Sequence, residues 1–551
     1  MILKKITAAG LLTASALVLA ACGQQKSSQS QTKQVLNWTE SAQISNQDPS
    51  LTTDSTSFQA LLNTQEGLYR LDKKQKLQLA LAKSAKVTDG GKTYTFVLRD
   101  AKWSNGQAIT ANDFVYSYRR SLNPKTKSSM AFYLYQIVNA EAINAGKKPV
   151  SSLGVKALSK NKLQIKLVRP VSYFKLLLAF PLFFPGNQQF IEKVGSKYGT
   201  AAKYTISSGP FKLTKWTGSN KQFTLVKNQN YWDKKNVKLD KVNETISETS
   251  STAYNLYQAG KLDETYLTGE QVKANKGKST FYDQPASAIQ RLELNRKKVK
   301  AFNNFNIRRA LSLAIDRESL AKVLSDGSVA AKGFVPSGMG NNPTTGEAFY
   351  KEAYVKEAVS YNLKEAKKYL AKGYKELGIK SLNLNLTVSD TDSAKQVGQF
   401  LQSKLGELPG VKITVTILPY TTLISRQSAG NYQLTIKNWQ AILGDPINFL
   451  DVFEKDSSYN TSGFASSKYD QLLNEAENVY GNKPVQRWKR LVAAEKLLMN
   501  EQGTIPLIQT AKPQLVQSYV KNVSYNPLGH PLRLQACLHQ EIGGRHGFFR
   551  L

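Results

Sequence analysis

Catalysis in a chain of this size needs a nucleophile, a base or a metal ligand at a workable spacing, and few such groups are present. The three histidines, His530, His539 and His546, all fall in the last 22 residues. Residues 1–529 therefore offer no Ser-His or Cys-His pair and no HExxH zinc motif. No GxSxG nucleophile turn and no phosphate-binding P-loop occurs. Forty Asp and Glu residues leave carboxylate-only chemistry, of the kind glycosidases use, open. The expectation is a protein that is not an enzyme and needs no metal and no cofactor.

One residue does suggest covalent chemistry. Residues 1–22 have a basic head at Lys4 and Lys5, an apolar run from Ala8 to Ala21 and small residues before Cys22. This is the layout of a secretory signal, too short in its apolar part for a stable span. Leu19-Ala20-Ala21-Cys22 has the form of a lipobox, in which Cys22 is lipidated and becomes the first mature residue. A plain signal peptide with a chance cysteine is the other reading. The polar stretch 23–34 cannot bury anything and is expected to be a flexible tether. The expected location is the extracellular face of the bacterial cell membrane, held by a diacyl anchor. With Cys22 so used, no disulfide is expected to staple the fold.

Hydrophobic residues make up 41% and charged residues 21% of the 551, which is globular composition, and the length suggests about two to four domain-sized units. Lys and Arg outnumber Asp and Glu by 75 to 40, a formal charge of +35. The lysines are scattered and an export signal precedes them, so an anionic membrane or cell-wall surface is the expected electrostatic partner and nucleic acid is not.

The elements that must position any site are readable in places. Asp89-Gly90-Gly91 is a hairpin-type turn, and the residues from Thr93 to Leu98 are β-branched, aromatic or aliphatic, which predicts a strand. Trp103-Ser104-Asn105-Gly106 is a second turn, and Thr110 should cap a helix running through Asp113 to Tyr118. Further strand-like pieces lie at Val155–Leu158 and Leu163–Leu167. Ile307, Ala310, Leu311, Ala314 and Ile315 share one face of a helix predicted between Phe302 and Leu324. Strand, helix and strand are predicted at Leu382–Val388, Ser393–Leu405 and Val411–Leu418, the alternation of an α/β protein.

The order YTFVLR, WSNGQAITANDFVYSYRR, then SSGPFKL, NQNYWD, FNNFNIRRALSLAIDRESLAKVL and GFVP resembles the extracytoplasmic solute-binding proteins that serve peptide and nickel importers, especially the oligopeptide-binding branch. The resemblance covers residues 35–529. It implies an α/β, two-lobed, periplasmic-binding-protein-like fold with an additional smaller domain, hinged around a central cleft. The first lobe is expected from 35–68, 206–290 and 505–531, the inserted smaller domain from 69–205 and the second lobe from 291–504. The implied function is to capture extended oligopeptides between the lobes and deliver them to ABC permease subunits, as a monomer. A peptide-signal receptor or surface adhesin could reuse the scaffold; a secreted hydrolase is the more distant alternative.

Site residues follow by matched position. The stretch from Asn438 to Pro446, continuing to Asn448-Phe449-Leu450, resembles a family segment written W-x-A-D-Y-x-D/E-P-x-x-F-L. The resemblance places Trp439 and Gln440 in the peptide cleft. It also places Ile442 where enteric-type members hold an aspartate for the peptide's free α-amino group. Asp445 could supply the missing charge, could merely make a turn with Pro446, or the ligand could be held mid-chain. Thr53 and Ser55, after Asp48-Pro49, and Met130 and Tyr133, in SSMAFYLY, match two further cleft-lining stretches, although aromatics such as Tyr133 are more often core than ligand contacts.

The tail departs from this pattern. Residues 532–551 read LRLQACLHQEIGGRHGFFRL where the family returns with a strand resembling FDYKHAYIK. Codons exist for Leu532 to Gln540 that read FDYKHAYIK once their first base is dropped. A single-base frameshift after about Pro531 is therefore expected, which makes Cys537, His539 and His546 accidental and leaves a neighbouring strand edge unpaired.

Overall fold

In the computed structural model, residues 34–72, 76–457, 459–525, 532–534 and 537–539 are described. The signal segment with Cys22, the tether up to residue 33, and His530 and His546 lie outside them.

The inserted domain is built on an antiparallel sheet in the order Ala82–Thr88, Thr93–Leu98, Lys162–Lys166, Val155–Ser159. The first two strands turn at Asp89-Gly90-Gly91, whose backbone is left-handed throughout, with Gly90 at φ 59°; two glycines make that conformation cheap. Alternation along Thr93–Leu98 buries Tyr94, Phe96 and Leu98 against the helix Ala111–Leu122 and its neighbours. That helix starts as the sequence predicts: the Asp113 carboxylate accepts from the Thr110 backbone N–H at 2.6 Å and from its hydroxyl at 3.0 Å.

The first lobe holds a four-stranded sheet in the order Val35–Glu40, Lys241–Ile246, Gln222–Lys227, Phe211–Thr214, whose first pair is parallel. Its two neighbouring strands lie about 200 residues apart in sequence, so the lobe is assembled from distant stretches of chain.

A seven-stranded sheet joins the lobes. Its path runs Glu264–Tyr266, Ile505–Val516, Phe281–Leu294, Leu434–Gln440, Leu382–Ser389, Val411–Leu418, with Val329–Ala330 pairing to Ile505–Val516 off the path. Phe281–Leu294 and Ile505–Val516 are the longest strands and run antiparallel, so position 290/291 lies inside one continuous strand. These are the hinge strands. Their register shifts between Pro285 and Ile289, where a bulge forms. Gln509 fills it: its Nε2 donates to Ala286 O at 2.9 Å and to Ser337 Oγ at 2.8 Å, and its Oε1 accepts from Ser337 N–H at 3.1 Å.

On one face of this sheet lies the apolar layer of Ile307, Ala310, Leu311, Ala314 and Ile315, all fully buried. The single helix predicted there is two, Phe305–Leu313 and Arg317–Leu324. Asp316 causes the break, because its carboxylate accepts from Ser319 N–H and so opens a new helix. The other face meets the largest core, which runs without interruption from second-lobe residues such as Phe334, Phe449 and Leu491 to inserted-domain residues such as Phe174 and Phe183.

The expected unpaired edge near the C-terminus is not what forms. Ser524–Tyr525 pairs with Leu532–Arg533 and Val520–Lys521 with Leu538–His539, while Leu534 and Cys537 are buried in the first lobe's core. Among the described residues no group of His, Cys, Asp and Glu is placed to hold a metal ion.

Candidate functional site

The strand Leu434–Gln440 has a partner along one side only for most of its length. Leu382–Ser389 covers Leu434 and Thr435 and then diverges, while the hinge strand Phe281–Leu294 follows the other side as far as Gln440. Ala441 N–H donates to Ser287 O at 2.8 Å. Because peptide groups alternate sides along a strand, those of Lys437 and Trp439 also face the hinge strand, and those of Asn438 and Gln440 face away from it. Gln427 Nε2 covers the carbonyl of Ile436 at 2.9 Å, and beyond it no strand among the described residues pairs with this edge. Asn438 and Gln440 are exposed there. An extended peptide can pair with such an edge whatever its side chains are.

Trp439 is fixed beside this edge. Its indole N–H donates to Asn448 O at 2.6 Å, and its ring meets Tyr459 edge-on, with centroids 4.8 Å apart. Asn448 also accepts from Ile442 N–H through Oδ1 at 2.9 Å, so one buried amide ties the strand end to the loop after Asp445-Pro446. Ile442 is half-buried and packs on the large core with Trp439, Met130 and Tyr133. Tyr133 meets Phe180 edge-on within the inserted domain and reaches across to the Asn448 side chain and Asp451. Burial, with the Asp451 charge beside it, pushes the Tyr133 hydroxyl above its ordinary pKa. Tyr133 thus packs on the core and also touches the second lobe. Thr53 and Ser55 are exposed, flanking Asp54, which caps the helix Ser55–Thr64.

Asp445 is not free to receive a ligand amine. Arg487 grips it with two parallel hydrogen bonds, Nη1 to Oδ2 at 2.8 Å and Nη2 to Oδ1 at 2.9 Å, and Asp445 also accepts from Ile447 N–H. The reason is local charge balance: Arg487 is nearly buried and must be paired. Its other partner is Glu477, with Nη2 to Oε1 at 2.7 Å. Glu477 in turn receives the inserted domain, through Arg169 Nη2 at 3.0 Å and the Tyr173 hydroxyl at 2.9 Å. Two carboxylates and two guanidiniums therefore alternate across the boundary between inserted domain and second lobe. Asn482 Nδ2 donates to Gly90 O nearby, so the two bodies are in contact over this whole edge.

Of the eight cleft residues expected from the sequence, the structure gathers Trp439, Ile442, Met130 and Tyr133 on one apolar seam, with Gln440 at its open edge. Asp445 belongs to the ionic network behind the seam. Tyr459, Asp451, Glu477 and Arg487 were not anticipated, and no local motif marks them. Asn448 lay inside the quoted segment but carried no assigned role.

The profile described as "Bacterial extracellular solute-binding proteins, family 5 Middle" matches residues 76–461. The dipeptide-binding protein of Lactococcus lactis subsp. cremoris is 33% identical over 535 residues, covering 94% of this chain and 96% of its own. The oligopeptide-binding protein OppA of Bacillus subtilis is 31% identical, covering 89% and 91%. Among solved structures, Listeria monocytogenes OppA bound to peptide superposes with a TM-score of 0.79 at 35% identity, over 93% of this chain and all of that one. The pheromone receptor PrgZ gives 0.79 at 37%, over 92% and 100%.

Proposed function

The chain belongs to the family 5 bacterial extracellular solute-binding proteins, and from that premise we propose that it is the ligand-capturing component of an oligopeptide ABC importer. The observation that carries this reading is the open strand edge at Asn438 and Gln440, beside the pinned Trp439 and at the contact between two bodies. Backbone pairing on that edge takes peptides of many sequences, and closure of the lobes is stabilised because only the closed arrangement touches ligand from both sides. A membrane permease can then tell loaded from empty. The likeness to PrgZ favours a second reading, a peptide-signal receptor on the same scaffold.

Native mass spectrometry of the chain from residue 23, purified without denaturation, tests the first reading. Peptides of mixed sequence should co-purify in near-equal molar amount. Recovery of empty protein that also binds none of a random peptide library would sink it. Growth on peptides in a permease-null strain separates import, which stops, from signalling, which persists.

The anchor is part of the proposal. Lys4, Lys5, the apolar run and the lipobox at Cys22 support attachment to the outer face of the membrane through lipid on Cys22. Cys22→Ser should move the protein from the membrane fraction to the medium, leaving about a tenth or less behind, since a basic surface alone binds reversibly and weakens with salt. Unchanged retention after a high-salt wash would refute the lipid.

A further inference from the structure

The sheet of the inserted domain has an inner and an outer face. Tyr94, Phe96, Leu163 and Ile165 point into the large core, so alternation sends the residues between them the other way. Strand register then fixes what the outer face presents. Lys86, Thr95, Gln164 and Lys156 lie abreast across the four strands, and Lys162 and Lys166 flank Gln164 on its own strand. All four lysines are exposed. Strand spacing and rise make the patch about 14 Å wide and about 13 Å long.

Lysines facing outward commonly guard sheet edges. That covers Lys86 and Lys156, which stand on the two edge strands, but not Lys162 and Lys166, which stand on an inner one. Lys156 is diagonal to both of them, at about 7–8 Å. Three like charges therefore crowd around one amide. Their repulsion is not offset locally, because none of the four strands contains an Asp or Glu. Among the described residues none of the four lysines forms an ion pair, whereas Lys92 at the hairpin has Asp89 at 3.7 Å. An anion held against the face removes that repulsion. Thr88, Thr95 and Gln164 add hydrogen-bonding groups between the charges, and Val97, half-buried, leaves little apolar surface to insert into lipid.

Resting on the anchored reading of Cys22, we propose that this outer face is the surface by which the protein lies on an anionic lipid bilayer, its lysines set against lipid phosphates. The charges are spread in two directions and not along a track, which matches a plane of phosphates and not a single polymer strand. A lipid joined through the polar stretch 23–34 limits how far the protein strays but leaves its direction open. The lysine face supplies the direction. Such attraction is screened by salt, so it orients protein that the lipid already holds and does not retain it alone.

Sedimentation of the unlipidated chain from residue 23 with vesicles tests this. At low salt the protein should pellet with vesicles of equal parts phosphatidylglycerol and phosphatidylcholine, stay in solution with phosphatidylcholine alone, and be released by high salt. The triple variant Lys156→Gln, Lys162→Gln, Lys166→Gln should bind the anionic vesicles about 100-fold more weakly. The formal charge of +35 demands a control that removes equal charge elsewhere. Lys364→Gln, Lys368→Gln, Lys372→Gln, on the exposed side of the helix Leu363–Leu377, should weaken binding by about threefold or less. Both triples should keep the wild-type urea midpoint, since all six side chains are exposed. Equal weakening by the two triples would assign the binding to overall charge and overturn the proposal, as would wild-type protein that ignores anionic vesicles. Capture on immobilised poly(glycerol phosphate) without capture by vesicles would overturn it in favour of a wall polymer. The vesicle result does not depend on the lipid, so failure of the anchor, read with Cys22→Ser, is told apart from failure of the face.

Discussion

Arg487→Met should destabilise the second lobe by about 3–5 kcal/mol, read as a lowered urea midpoint with fluorescence from its tryptophans. The loss does not come from the contacts of one arginine. Asp445 and Glu477 would remain buried with only Arg169 between them, and Arg169 is partly exposed and touches Glu477 alone. The guanidinium also lies over the Tyr173 ring at 5.3 Å, and both carboxylates hold it firmly in its charged form. Arg487→Lys should recover only part of the loss, because one ammonium cannot make the two-pronged contact with Asp445 while also reaching Glu477. Arg169→Ala removes a partly exposed partner and should cost about 1 kcal/mol or less. A midpoint for Arg487→Met within error of wild type would show that the network is not needed for the fold.

The second large effect is a dependence on pH in the first lobe. Glu40, Glu244 and Glu264 approach one another across neighbouring strands, and Oε2 of both Glu244 and Glu264 is buried without a hydrogen-bond partner. Burial pushes Glu40 up to about 8, against the pull of Lys512; burial and the Glu40 charge push Glu244 and Glu264 well above the ordinary value. A carboxyl whose folded pKa lies above its unfolded value binds the proton more tightly when folded. Its contribution is present below about pH 4.5 and is lost as pH rises through the folded value, so stability should fall between about pH 5 and 8. Glu244→Gln keeps the shape and removes the titration. It should leave the melting temperature unchanged at pH 5 and raise it at pH 8. Equal effects at both pH values would contradict the sign.

What the sequence made legible was local. The turn at Asp89-Gly90-Gly91, the cap at Thr110 and the strand Val411–Leu418 each depend on a few adjacent residues whose backbone preferences agree, and each forms as read. The helix from Phe302 was read too long, since apolar spacing continues through Asp316 while the capping carboxylate stops it. The site was legible only as far as its strand: the segment around Trp439 points to the cleft, but its chemistry depends on partners that nothing nearby announces. Arg487 is 42 positions from Asp445 and lies on a helix where an arginine is unremarkable. Asp451, six positions past Asp445, is set apart only by the burial and the neighbouring carboxylates that push its carboxyl above the usual range, which are properties of packing and not of spacing.

The hinge strand Ile505–Val516 also fixes an order of events during synthesis. It sits between Glu264–Tyr266 and Phe281–Leu294, and those neighbours are made more than 200 residues earlier. Until the chain has grown past residue 516, both must wait with an unfilled gap between them, and the sheet shared by the lobes cannot zip shut. Loop closure over such a span is slow, and waiting strand edges invite wrong partners. A chain of this topology therefore completes its fold only when almost all of it has been made, and until then it is a client for whatever keeps nascent polypeptides apart.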